Sequence, residues 1–124
     1  MRFMMLMIPQ GYEQAKPGTM PDARAVAAMM KYNEELQKAG VLVDLSGLKP
    51  SSAGARVRFA GGKRTVTDGP FTEAKELIAG YWIIQVKSRE EAIAWAKRIP
   101  AEVCDIGEIE LRPLHEREDF AGLS

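Results

Sequence analysis

The chain of 124 residues is poor in the side chains that most enzymes rely on. It has one cysteine, Cys104, and one histidine, His115. A lone cysteine closes no internal disulfide, and no Cys/His spacing suits a zinc site. Nucleophile motifs, a phosphate loop and a dinucleotide fingerprint are all missing, so neither a metal nor another cofactor is expected. An excess of charge is missing too: 17 basic residues stand against 17 acidic ones. That balance argues against a nucleic-acid partner, which calls for a basic excess. No apolar run is long enough to cross a membrane. The apolar opening Phe3-Met4-Met5-Leu6-Met7-Ile8 has one flanking Arg2, stops at Pro9 and lacks a small-residue cleavage site. It reads as a strand rather than a signal peptide. A reduced cytoplasm is the expected location.

What is present suits one domain over residues 1–124, long enough to bury a core. Residues 66–86 organise it. In Asp68-Gly69-Pro70-Phe71, Pro70 has no N–H, so Asp68 cannot close an Asx turn onto residue 70. Its carboxylate is expected to reach the N–H groups of Phe71 and Thr72, or another partner. Thr72 reads as the cap of a short helical turn over Glu73-Ala74-Lys75-Glu76. The run Tyr81-Trp82-Ile83-Ile84-Gln85-Val86 is aromatic and β-branched, as a central strand should be. Alternation puts Trp82, Ile84 and Val86 on a dry face for helices, and Tyr81, Ile83 and Gln85 on the other.

Around it, residues 2–8 form a nearly all-apolar strand. Thr19, Pro21 and Asp22 open a helix whose buried stripe is Val26, Met29, Met30 and Leu36, with Asn33 along it, bonding locally or sitting near its boundary. Gly40 ends that helix. Residues 41–45 form a strand. Residues 55–59 and 63–67 form a hairpin about Gly61-Gly62, with one wet face. Its Lys63 and Arg64, with Arg56 and Arg58, read as the solvated edge of the hairpin, with a local basic patch as the alternative. Ser88 and Glu91 box a second helix, which turns Ala92, Ile93, Ala96 and Ile99 inward with Trp95 packing at the edge. Residues 106–112 make a last strand, and residues 114–124 a mobile or partner-docked tail.

The stretch Thr67-Asp68-Gly69-Pro70-Phe71, with Glu73-Ala74-Lys75-Glu76 and Gly80-Tyr81, resembles the DGPF group of the YCII-related family. The likeness extends to the opening strand, to Ala39-Gly40-Val41-Leu42, to Glu91-Ala92-Ile93-Ala94-Trp95-Ala96 and to Glu110-Leu111-Arg112-Pro113. The resemblance implies a ferredoxin-like α+β unit pairing through its sheet into a dimeric α+β barrel. The order read from the chain, β-α-β-hairpin-β-α-β, agrees with this: two helices on one face of an antiparallel sheet leave the other bare. Pairing of two bare faces in a homodimer is the expected remedy. YCII-type relatives are proposed to use a histidine with an aspartate; here His115 lies in the tail and no histidine occupies the first half.

Three functions follow as expectations. The first is a small-molecule-binding dimer whose cleft is lined by Tyr81, Gln85, Tyr12, Met5 and Met7, the methionines serving as a pliable wall or as core. The second is an enzyme with Asp68 as catalytic acid–base and Tyr81 or Tyr12 as proton donor; a structural turn role for Asp68 stands beside it. The third is an accessory protein linked to an extracytoplasmic-function sigma factor, which members of this family are often encoded beside.

Overall fold

The computed structural model describes residues 1–9, 22–71, 77–101 and 107–122. Tyr12, Thr19, Pro21, Cys104 and the expected helical turn at 72–76 lie outside the described residues. Among the described residues six strands and two α-helices follow one another as β1 (Arg2–Ile8), α1 (Ala23–Lys38), β2 (Leu42–Gly47), β3 (Ala55–Ala60), β4 (Lys63–Asp68), β5 (Gly80–Gln85), α2 (Arg89–Lys97) and β6 (Glu108–Pro113). Four strands make the main sheet in the order β2-β5-β1-β6, antiparallel throughout, and β3-β4 stands apart as a two-stranded ribbon. This is the ferredoxin-like α+β arrangement with a hairpin inserted between β2 and β5.

Register turns alternation into two faces. Met5 stands opposite Trp82 and Leu111, and Phe3 opposite Ile84, so all five share one face. That face and the helices enclose the core: Phe3, Met5, Tyr32, Leu36, Trp82, Ile84, Val86 and Ala92. Trp82, Ile84 and Val86 are buried as alternation requires.

The helix stripe differs from the expectation. Met30 is 62% exposed, while Tyr32 and Leu36 are the buried residues of α1. At 100° per residue, Met29, Tyr32 and Leu36 stack on one side, and Met30 is rotated away. Asn33 sits half-buried at the boundary of the stripe, and instead of bonding locally its Oδ1 accepts the indole N–H of Trp82 at 2.7 Å. Asp22 occupies the N-cap position, in extended backbone and with no side-chain cap bond. The far end is a Schellman motif. Gly40 sits at φ 72°, its N–H donates to Gln37 O, and the Val41 N–H reaches back to Leu36 O. Helix α2 begins as expected, with Ser88 Oγ accepting from the Glu91 N–H at 3.1 Å. The Glu91 carboxylate takes the Lys87 N–H instead of the cap residue's own.

The tail is seated on its own chain. The Leu114 N–H donates to Arg2 O, and Glu116 receives both the backbone N–H and the guanidinium of Arg2, at 3.3 and 3.1 Å. Glu116 also caps a short 3-10 turn, Arg117–Phe120, together with Asp119. The hydrogen bond from Arg2 holds the Glu116 carboxyl below the usual glutamate range.

Two measurements check these points. Nothing crowds a Cβ at Gly40, so Gly40→Ala carries only the left-handed backbone cost; urea unfolding is expected to show a loss of about 1–2 kcal/mol. Because Glu116 binds its proton less tightly folded than unfolded, the pair contributes stability above the ordinary carboxylate range. That contribution is lost as pH falls through the folded value. The NMR titration midpoint of the Glu116 carboxyl is expected below that of a denatured control; an equal midpoint would mean that Arg2 does not hold it.

Candidate functional site

The face of the sheet away from the helices is the one candidate surface that the topology builds from all four strands. By register it presents Tyr81, Ile83 and Gln85 of β5, and Met4, Leu6 and Ile8 of β1. Asp44 and Ser46 of β2 flank these on one side, and Glu108, Glu110 and Arg112 of β6 on the other. An apolar strip is thus bordered by polar margins.

The polar margin at β2 carries the most organised chemistry. Asp44 arrives on this face because β2 bulges between Leu42 and Asp44, pushing Val43 out of register and into solvent. Its Oδ1 accepts the Leu45 N–H at 2.9 Å, and its Oδ2 accepts the phenol of Tyr81 at 3.3 Å. The carboxylate is therefore aimed, and a proton donor lies against it. Such a pair can bind a polar group at the rim of an apolar surface or pass a proton to it. Asp44 escaped the sequence reading, although a carboxylate in Val41-Leu42-Val43-Asp44-Leu45 was the signal.

The other expected ligand residues are not all on this face. Met5 is fully buried in the core and Met7 packs against that core, both on the helix side. Neither lines the bare face; the first-strand residues that do are Met4, Leu6 and Ile8. Gln85 is exposed on the bare face, opposite Arg2 and four residues from Tyr81. At strand rise that is about 13 Å, so the two bracket Ile83 rather than share one contact point.

Asp68 ends β4, exposed and opposite Ala55. The turn after it is held by other groups. The Gly69 N–H donates to Gly54 O at 3.0 Å, and the Phe71 N–H, expected to bond Asp68, donates instead to Ser51 Oγ at 3.0 Å. The peptide bond from Gly69 to Pro70 is cis. A Cβ on Gly69 would run into the Ser51 carbonyl, so that backbone passage admits glycine alone. The turn is thus built on Gly69 and Ser51, and no described residue hydrogen-bonds the Asp68 carboxylate. The turn also lies at the end of the sheet that holds Ser46 and Tyr81, since it packs on the segment following Gly47.

On the helix side, a groove of about 290 Å³ is lined by Ala28, Lys31, Tyr32, Glu35, Arg98 and Pro100. Three of its polar side chains are already engaged. Glu35 pairs with Arg98 at 2.8 Å, and the Tyr32 hydroxyl donates to Trp95 O at 2.7 Å. Burial pushes the Tyr32 phenol far above its ordinary range. Among the described residues no group of three His, Cys, Asp or Glu could hold a metal ion, and no helix is long and apolar enough to cross a membrane.

The turn analysis separates two substitutions. Asp68→Asn is expected to change stability by less than about 0.5 kcal/mol, as exposed surface changes do. Gly69→Ala is expected to cost about 1–3 kcal/mol through overpacking against Ser51. Urea unfolding of both variants checks this, and equal losses would refute it.

Comparisons with known proteins follow the same architecture. The family model described as YCII-related domain matches residues 1–116. An uncharacterized protein of Rhizobium meliloti (strain 1021) is 32% identical over 93 residues, covering 75% of each chain. Among solved structures, 5-chloro-2-hydroxyhydroquinone dehydrochlorinase (TftG) from Burkholderia phenoliruptrix AC1100, in complex with 2,5-dihydroxybenzoquinone, superposes with a TM-score of 0.52. It is 14% identical, over 95% of this chain and 97% of that one. At that identity the likeness speaks for the fold.

Proposed function

The chain belongs to the YCII-related family, and from that premise we propose that it is a cytoplasmic small-molecule-binding protein acting as a homodimer. Two bare sheet faces meet, and the ligand lies between them against Tyr81 and Asp44. The observation that carries this reading is the aimed Asp44–Tyr81 pair at the rim of an apolar strip of Met4, Leu6, Ile8 and Ile83. An apolar strip on one face of a four-stranded sheet is unfavourable in water, and an isologous pair covers it with its own copy. Concave space left at such an interface is where small ligands sit, apolar contacts giving affinity and a few polar groups giving orientation. A planar ring with hydroxyl or keto groups fits both features. The protein of like fold holds a ligand of that kind, 2,5-dihydroxybenzoquinone.

The same pair supports a second reading, proton transfer. Tyr81 is a donor already hydrogen-bonded to a carboxylate, and Asp44 rather than Asp68 is the group within its reach. Asp68, exposed and unbonded at the same end of the sheet, is then available as a second acid–base group toward a bound ligand.

Thermal shift and native mass spectrometry with a panel of dihydroxybenzoquinones and hydroquinones test both readings. A hit is expected, weakened roughly tenfold by Tyr81→Phe and by Asp44→Asn, the effect of losing one good hydrogen bond. Turnover of a hit that Asp44→Asn abolishes would select the second reading. No hit across the panel would sink both.

A further inference from the structure

A hydrogen bond has a direction, and at the β2 margin of the bare face the directions agree. Asp44 is a carboxylate, which accepts and does not donate. Tyr81 has a single phenolic proton, and that proton lies on Asp44 Oδ2 at 3.3 Å. What the phenol shows to an approaching ligand is therefore the lone pairs of its oxygen. The backbone donor beside them is taken as well, since the Leu45 N–H bonds Asp44 Oδ1 at 2.9 Å. Ser46, exposed and directly opposite Tyr81, has a hydroxyl that turns to suit, as donor or acceptor. Asp68, exposed at the same end of the sheet, adds a second carboxylate that no described residue hydrogen-bonds.

The other donors of the bare face stand away from this corner. Gln85 is about 13 Å along β5 from Tyr81, and Arg2 beside it is tied to Glu116. Arg112 lies three strands across the sheet from Asp44, about 14 Å, and is paired with Glu110. Among the described residues no lysine or arginine is paired with Asp44 or Asp68. The corner is rich in acceptors and its negative charge is not neutralised.

Such a corner selects a ligand by what the ligand donates. A hydroxyl brings a proton to the Asp44 carboxylate or to the Tyr81 oxygen and extends the network. A keto oxygen sets lone pairs against lone pairs, and a carboxylate adds like charge at close range. Met4, Leu6 and Ile83, on the same face, offer the body of the ligand apolar contact.

The geometry points to a neutral ligand that enters hydroxyl first: the Asp44–Tyr81–Ser46 corner takes O–H donors carried on an apolar ring, and rejects the matching quinones and carboxylates. This rests on the ligand-binding reading of the bare face, and adds which member of a hydroquinone–quinone pair that face admits. Asp44 is the specificity-determining residue, because it fixes where the Tyr81 proton points. Asparagine in its place presents an N–H donor and removes the negative charge.

Anaerobic isothermal titration calorimetry of the full chain with tetramethylhydroquinone and tetramethylbenzoquinone tests it. The two probes share their ring and methyl groups and differ in whether their oxygens donate. The wild type is expected to bind the hydroquinone roughly tenfold more tightly or better. Asp44→Asn is expected to shrink or reverse that ratio, with circular dichroism confirming that the variant is folded. By the same rule 4-hydroxybenzyl alcohol is expected to bind roughly tenfold more tightly than 4-hydroxybenzoate. Equal affinities within each pair, or a ratio that Asp44→Asn leaves unchanged, would overturn the donor rule while the site itself stands. Tighter binding of benzylamine than of benzyl alcohol would assign the corner to a cation and overturn the rule as well. No binding of any of these probes would sink the site, and the donor rule with it.

Discussion

The indole of Trp82, with the Tyr32 ring beside it, ties the sheet to both helices. It projects from the middle of β5 and donates its N–H to Asn33 on α1. Tyr32, one residue earlier on α1, sets its ring edge-on to the indole at 5.7 Å and donates its hydroxyl to Trp95 O on α2. One side chain thus ties sheet to first helix, and its neighbour ties first helix to second. The Trp82 N–H and the Tyr32 hydroxyl both have partners, so the aromatic cluster is sealed without the desolvation cost of orphaning either. Arg98, lying over the Trp95 ring at 4.3 Å and paired with Glu35, closes the outside of the cluster.

Placing both helices on that side has a direct consequence. Among the described residues no helix lies over what alternates away from Trp82, and the polar groups at the edge of that surface acquire a use. The bulge in β2 is what brings Asp44 beside Tyr81; a regular strand would have carried Val43 there. Close approach at Gly80, where a Cβ would meet Ser46 O at 2.9 Å, draws β2 and β5 together at the same place. The Asp68-Gly69-Pro70-Phe71 turn packs on the segment leaving that end of the sheet. Site, turn and ribbon are therefore neighbours through backbone geometry.

Much of the fold was legible because it rests on local chemistry. The period-two pattern of Tyr81-Trp82-Ile83-Ile84-Gln85-Val86 named both faces correctly, and Gly40, Ser88 and Gly61-Gly62 marked the boundaries they were read to mark. The site was less legible. Met5 and Met7 resembled a ligand wall, yet register with Trp82 and Gly80 turns them inward. In an all-apolar strand, alternation alone cannot say which phase is inside. Asp68 resembled the hydrogen-bonding residue of its turn, yet Ser51, nearly twenty residues earlier, supplies the acceptor. The tail resembled a free end because its tie to Arg2 spans almost the whole chain.

By itself, then, the order of residues determined the succession of strands and helices, the dry face of β5 and the glycine turns, since each follows from contacts within a few positions. Only the tertiary structure decided that Asp44 meets Tyr81, that Asn33 serves Trp82, that Gly69 rather than Asp68 is the residue its turn requires, and that β3-β4 forms a sheet separate from the other four strands. Each of these depends on strand register or on a bulge. A one-residue slip in either would present a different set of side chains, and neither is written in any single stretch of the chain.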